Sequence, residues 1–299
     1  MNKADRIAGA RRPAVVITGA TQGIGRALAN EFARNGHTLL LVARDETALA
    51  RAARELAECH GVRVEISAQD LSKADGCAGI EQALEQNALY ADVLVNNAAT
   101  MTAGFLQDAD REEMLGLVDL NVRGLLDLTL RLLPGMVARG KGGVLNVSSV
   151  EGFMPVPYQA AYAASKAFVL SLSRALHYEL SGSGVRVSVL APGATHTRIH
   201  ARGGSQHAYY VSLFPVMTPE EVARLAYRQF ERSKAVIVPG WLNRFYAVSQ
   251  RFVHPVLLLP VLGWLFRVRD ETGNVQWPRS IVARAGRGEQ RAKEHNLSR

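Results

Sequence analysis

The chain has 299 residues, 48% of them hydrophobic and 21% charged, enough to bury a core without disulfide or metal staples. Its two cysteines, Cys59 and Cys77, stand far apart, which argues against a disulfide framework or a thiolate metal centre and reads as free thiols in a reducing compartment. The net charge of +8 sits at the ends, with Lys3, Arg6, Arg11 and Arg12 against Asp5 at the start and eight basic against four acidic groups in 267–299; without a nucleic-acid motif or basic–aromatic interleaving, this reads as solvated tails or attraction to an anionic membrane surface, not as a nucleic-acid partner.

Residues 1–12 are polar and basic and lack an apolar secretory core, so the expectation is a cytoplasmic protein with a flexible basic N-terminal tail. From there, short β-branched runs alternate with helical periodicity. Val15–Ile17 reads as a strand, Gly23–Asn35 as a helix, Thr38–Ala43 as a strand, Glu46–Glu58 as a helix and Val62–Ser67 as a strand. A helix over Gly76–Gln86, a strand at Asp92–Val95 and one long helix from Arg111 to Ala138 follow. Val144–Val147 and Val185–Leu190 read as strands flanking a helix over Ala160–Leu180. Thr218-Pro-Glu-Glu then starts a helix with a cap, a first-turn proline and acids at the positive end, and Val236–Val238 is a last strand. Near-continuous apolar strands joined by crossover helices predict one doubly wound, Rossmann-like α/β domain with helices on both faces of a parallel sheet.

Chemistry enters at the first strand–helix turn, Thr18-Gly19-Ala20-Thr21-Gln22-Gly23-Ile24-Gly25. A glycine-rich turn lets backbone N–H groups and a helix N-terminus approach a pyrophosphate. The spacing is Gly-x-x-x-Gly-x-Gly rather than the commoner Gly-x-Gly-x-x-Gly. The second strand ends Val42-Ala43-Arg44, with no acid to accept from a ribose hydroxyl and with an arginine able to pair with a phosphate, which favours NADP(H) over NAD(H). A second constellation is Tyr162-Ala-Ala-Ser-Lys166, whose tyrosine and lysine share one helical face, so that the ammonium is expected to lower the phenol pKa. Ser149 lies just past a strand end, where ligands of such sheets bind.

Taken in order, Thr18–Gly25, Asp70-Leu71, Asn96-Asn97-Ala98-Ala99, Asn121, Asn146-Val147-Ser148-Ser149, Tyr162–Lys166 and Pro192-Gly193 resemble the short-chain dehydrogenase/reductase family over roughly residues 13–240. The resemblance implies an oxidoreductase acting on CH–OH groups. Tyr162 would be the acid/base, Lys166 would hold the ribose and lower the Tyr162 pKa, Ser149 would orient the substrate oxygen, and Asn121 would position a water in a proton relay. It implies that Thr18, Gly19, Thr21, Gln22, Gly23, Ile24, Gly25, Arg44, Asp70, Leu71, Asn96, Asn97, Ala98, Tyr162, Lys166, Pro192, Gly193, Thr195 and Thr197 contact the cofactor, with no metal, in a homodimer or homotetramer. Ala99 departs from the usual glycine by one methyl.

The substrate pocket is expected to involve Ser149, Phe153, Tyr158 and Tyr162, together with an aromatic stretch over 198–217 containing Tyr209, Tyr210 and Phe214; its apolar composition suits a ketone, aldehyde, secondary alcohol or acyl chain. Residues 241–299 form an apolar extension and basic tail. Its uncharged run Phe252–Phe266 is broken by Pro255, Pro260 and Gly263 and falls short of the ~20 residues that span a bilayer. It reads as a flap over the substrate mouth, a subunit interface, or a membrane-surface contact with Trp241 and Trp264 at the boundary. Rival functions are a non-catalytic NADP(H)-binding or membrane-associated interaction protein, and an isomerase using the same cofactor.

Overall fold

The computed structural model describes residues 11–195, 208–210, 216–249, 255–269 and 274–275. Seven parallel strands form one sheet in the order β3-β2-β1-β4-β5-β6-β7. The strands are β1 (Arg12–Thr18), β2 (Leu39–Ala43), β3 (Val64–Ala68), β4 (Leu89–Asn96), β5 (Gly142–Val147), β6 (Val185–Leu190) and β7 (Val236–Ile237). The order reverses between β1 and β4, so loops leaving the carboxyl ends of β1 and β4 diverge and open a crevice there.

Strand alternation sorts the core into two layers. On one face Val15, Ile17, Leu39 and Leu41 pack against α1 (Gly23–Arg34), α2 (Glu46–His60) and α7 (Pro219–Glu231), with Phe32 and Phe230 fully buried. On the other, Val16, Leu40, Val42 and Leu94 meet α3 (Gly76–Gln86) and α5 (Leu125–Arg139). Each such large apolar side chain contributes roughly 1.5–3 kcal/mol of burial. The strong caps expected at α7 form: Glu221 N–H donates to Thr218 Oγ1 at 3.2 Å and Thr218 N–H donates to Glu221 Oε2 at 3.0 Å.

One predicted element is broken. The helix expected over Arg111–Ala138 is α4 (Arg111–Val118), a π turn over Asp119–Gly124, and then α5. The widened turn brings the chain against the loop after β3, where a Cβ on Gly124 would lie 2.4 Å from the Leu71 carbonyl oxygen, and it swings Asn121 inward. The helix α6 (Ala160–Glu179) follows β5 after the short 3-10 turn Val150–Phe153. Two helices beyond the sheet, α8 (Trp241–Ser249) and α9 (Pro255–Leu265), form in the extension, the second despite Pro260.

Candidate active site

A cavity of roughly 1640 Å³ runs along the carboxyl ends of the strands, larger than the ~300–1,000 Å³ of a single small-molecule pocket. At one end lies the glycine turn. Gly19 and Gly23 adopt φ of +66° and +54°, which only glycine enters without strain. A Cβ on Gly25 would sit 2.2 Å from the Gly19 carbonyl oxygen. The turn is pinned from below: Asn97 Nδ2 donates to the Thr18 and Gly19 carbonyls at 2.9 and 3.2 Å, and the Asn97 and Ala98 N–H groups donate to Thr18 Oγ1 at 2.9 and 3.0 Å. Gln22 provides no side-chain cap for α1, unlike Asp45 at α2 or Thr218 at α7, so the first-turn N–H groups of α1 remain available to an anion.

Farther along, Val42, Ala43, Arg44, Gln69, Asp70 and Leu71 line the wall, and Arg26 and Arg51 join Arg44 there. Burial would raise the Asp70 pKa, but hydrogen bonds from Ser72 and the nearby charges of Arg44 and Lys73 hold it below its ordinary value. The basic cluster beside an uncharged Ala43, and the glycine cradle that a Cβ would fill, fit a dinucleotide carrying an extra phosphate.

At the other end Ser149, Tyr162 and Lys166 line the same cavity. Ser149 terminates the β5 loop, and Tyr162 and Lys166 lie one turn apart on α6, all three buried. The loop is locked onto α6, since Ser148 Oγ donates to the Lys166 carbonyl at 2.7 Å and a Cβ on Gly152 would meet that same oxygen at 2.7 Å. Lys166 Nζ donates to the Val147 carbonyl at 3.0 Å and lies 5.6 Å from the centre of the Tyr162 ring. Burial lowers the Lys166 pKa to about 8, with the Glu151 carboxylate acting in the opposite sense.

The electrostatics of Tyr162 run against the sequence expectation. Burial, then the negative charge of Glu151 and the neighbouring Tyr210, push the phenol above its ordinary value, and only the Ser149 hydroxyl pulls it down. Desolvation is the largest of these effects at this buried position. The phenol is therefore held protonated at neutral pH, which equips it to give a proton to a carbonyl oxygen.

Several expected site residues face elsewhere. Asn96 turns into the sheet interior, donating to Thr129 Oγ1 at 3.0 Å and Asn146 Oδ1 at 2.9 Å, while Asn97 next door takes the cavity wall. Thr18 supports the glycine turn from beneath rather than lining the cavity. Asn121 is also off the wall: its amide donates to the Thr100 carbonyl at 2.8 Å and Ser165 Oγ at 3.1 Å, and its oxygen accepts from Thr100 N–H at 2.9 Å. Its side chain thus braces α6 and the loop after β4. Phe153 packs against the cluster of Leu125, Val169 and Leu170, and Tyr158, at φ +66°, stacks edge-on with Phe105 and accepts from Arg267 Nε at 3.3 Å, so neither lines the cavity. Thr21, Gln22, Ile24, Ala98, Pro192, Gly193 and Thr195 do line it, whereas Thr197 and Phe214 lie outside the described residues.

Sequence reasoning offered the extension as a flap over the substrate mouth but named none of the side chains in the wall that faces the reacting end. That wall is made of Glu151, of Leu242 and Tyr246 from α8, and of Leu265 and Phe266 at the end of α9. Of the three roles open to the extension, the structure thus gives the inner faces of α8 and α9 to the cavity. Tyr210, inside the aromatic stretch anticipated from composition, stacks on Phe266 with ring centres 4.2 Å apart. No cluster of metal-ligating side chains occurs among the described residues.

Comparison with known proteins bears on the family. A family model described as short chain dehydrogenase matches residues 13–207. The chain is 36% identical over 219 residues to sulfoacetaldehyde reductase 2 of Chromohalobacter salexigens, covering 71% of this chain and 86% of that protein. It is 38% identical over 185 residues to a very-long-chain 3-oxoacyl-CoA reductase of Laccaria bicolor, covering 61% of this chain and only 55% of that longer protein. Among solved structures, a short-chain dehydrogenase from Sphingobium yanoikuyae in complex with NADPH superposes with a TM-score of 0.72 at 37% identity, covering 80% of this chain and 93% of that one.

Proposed function

The chain belongs to the short-chain dehydrogenase family, and from that premise we propose that it is an NADP(H)-dependent oxidoreductase that reduces the carbonyl of a largely apolar small molecule, with Tyr162 as the acid and base. One observation carries the reading: Ser149, Tyr162 and Lys166 converge on the same cavity whose far end is the glycine turn with its basic cluster. The domain division that goes with it is a catalytic unit over 13–240 and an extension from 241 that walls the substrate side.

NADPH, when bound, supplies the hydride that turns the carbonyl carbon into a carbinol carbon. The chain contributes the rest. Gly19, Gly23, Gly25 and the open first turn of α1 would receive the pyrophosphate, and Arg44 with Arg51 the additional phosphate. Ser149 donates to the substrate oxygen and orients it. Tyr162, kept protonated by its surroundings, gives that oxygen its proton. Lys166, close to the phenol ring, compensates the phenolate charge that then develops. The side chains from α8 and α9 exclude water and favour an apolar substrate body. A module that merely bound the dinucleotide would have no use for the buried serine–tyrosine–lysine set.

The test is loss of NADPH absorbance against a panel of apolar aldehydes, ketones and acyl thioesters, repeated with NADH. Turnover of at least one class, with NADPH preferred by about tenfold or more, is the expected result, the scale of one charge-assisted phosphate contact. NADPH binding with no turnover across the panel would count against the reading.

A second reading concerns the outer faces of the same two helices. Trp241, Phe245 and Val248 on α8 and Leu257, Val261 and Trp264 on α9 recur at i, i+4, i+7 and are more than half exposed. Residues 241–269 carry four arginines and no acid. No helix among the described residues is long and apolar enough to cross a membrane, but a contact with an anionic membrane surface suits this face. The protein should sediment with phosphatidylserine vesicles at low salt and be released by added salt. Trp241→Glu with Phe245→Glu should weaken sedimentation by about tenfold or more, given the apolar area removed from lipid; equal sedimentation of the double variant would exclude this face.

A further inference from the structure

The substrate end of the cavity holds a carboxyl that the reaction above does not use. Glu151 stands two residues past Ser149 in the 3-10 turn Val150–Phe153 and is only 5% exposed. Its backbone N–H donates to Ser149 Oγ at 3.2 Å, which ties the start of the turn to the serine. The next residue, Gly152, is seated against the Lys166 carbonyl, which leaves this turn little freedom to shift the side chain away. Glu151 lines the cavity, and its charge acts on Tyr162, Lys166 and Tyr246, three polar groups on the same wall. Yet Oε2 has no hydrogen-bond partner among the described residues and lies just beneath the cavity surface, where a rotation of the side chain would bring it to a ligand.

A buried acceptor without a partner is costly, and such groups in folded proteins usually meet a ligand, a water or an ion. The geometry points to Glu151 as a substrate-binding residue that pairs with a hydroxyl carried close to the reacting carbonyl, which makes the substrate a hydroxy ketone or hydroxy aldehyde with an otherwise apolar body. This inference rests on the reductase reading of the site.

Three considerations select a hydroxyl over other groups. An ammonium would have to sit beside Lys166, which occupies the same wall. A sulfonate or carboxylate on the substrate would be repelled whenever Glu151 is ionised and could bind only by holding that carboxyl protonated. A hydroxyl both donates and accepts, so it satisfies the carboxyl in either protonation state, and burial does hold that carboxyl far above its ordinary range, at about 8. The titratable neighbours that face it are Lys166 and Tyr162 from α6 and Tyr246 from α8.

The experiment compares three substrates on one aliphatic skeleton: the plain ketone, the ketone with a hydroxyl on the adjacent carbon, and the ketone with a sulfonate there. Each is measured with the wild type, Glu151→Gln and Glu151→Leu. The wild type should favour the hydroxy ketone over the plain ketone by about 10–100-fold in kcat/KM and reject the sulfonate, since a site built around a polar partner discriminates strongly against analogues that lack it. Glu151→Leu should collapse the hydroxyl preference to within about threefold; Glu151→Gln, which keeps an acceptor, should retain part of it. NADPH titration establishes that each variant is folded. Binding of the same ketones to the NADPH complex, read by nicotinamide fluorescence, separates the two levels of the argument. Tighter binding of the hydroxy ketone without any turnover would sink the reductase reading and leave Glu151 standing. Equal binding of plain and hydroxy ketone by the wild type, or a preference that survives Glu151→Leu, would overturn the role of Glu151.

Discussion

Replacing Tyr162 by phenylalanine should leave the NADPH dissociation constant within a factor of about three and lower turnover by ~10²–10⁴, the scale of one general acid. The substitution removes one oxygen from a ring that is otherwise fully packed, and Phe fits the same volume, so the fold has no reason to respond. What disappears is the phenol that stands one helical turn from Lys166 and lines one cavity with Ser149 and the glycine turn. The expected loss falls on kcat, because the proton moves only in the transition state. Tyr210 and Tyr246 line the same cavity, and they are the residues that would have to substitute. If Tyr162→Phe retained near-normal turnover, the acid would have to be sought among those two and Glu151. Stopped-flow measurement of NADPH oxidation at saturating cofactor, beside an equilibrium titration, distinguishes these outcomes.

Much of this was legible in the residues, for reasons that can be located. Strands β1 and β2 are apolar on both faces, so Val15–Ile17 and Thr38–Ala43 announce a sheet covered twice, and the observed Arg12–Thr18 and Leu39–Ala43 differ only at the edges. The glycine turn and the tyrosine–lysine pair are local patterns, and the distances they need are set within one turn of chain. What sequence could not supply was direction. Asn96 and Asn97 are adjacent at the end of β4, and the pleat sends them to opposite sides: one to Thr129 and Asn146, the other to the glycine turn. Nothing in the pair Asn-Asn says which is which. Asn121 was found, but a regular helix over Arg111–Ala138 hides the π turn that aims its side chain at Thr100 and Ser165. The extension was harder still. Pro255, Pro260 and Gly263 obscure its periodicity, and α9 acquires an inner face only by packing Leu262, Leu265 and Phe266 against Met154, Val156 and Tyr210. Glu151 left one faint signal, a lone acid in an apolar stretch between Ser149 and Tyr162.

The glycine turn offers the other large effect, and it is set by distances. Gly25→Ala should weaken NADPH binding by roughly 5–150-fold, equivalent to the ~1–3 kcal/mol cost of forcing a methyl group into a filled space. The new Cβ would lie 2.2 Å from the Gly19 carbonyl oxygen, 2.4 Å from Asn97 Nδ2 and 2.9 Å from the Gly19 carbonyl carbon. None of these can yield cheaply. Gly19 is held at φ +66° with its N–H donating to the Val42 carbonyl at 2.8 Å. The Asn97 amide is the group that ties the turn down, through Thr18 and Gly19. Relief therefore requires the turn to lift from β4 or the first turn of α1 to tilt outward, and either movement spreads the N–H groups that would face the pyrophosphate. Tyr162 and Ser149 lie on other elements, so turnover at saturating NADPH should fall far less than affinity. That split, a raised dissociation constant with a largely preserved kcat, is the reverse of the Tyr162→Phe pattern. An unchanged dissociation constant for Gly25→Ala in a folded variant would mean that the phosphates are received somewhere other than this turn.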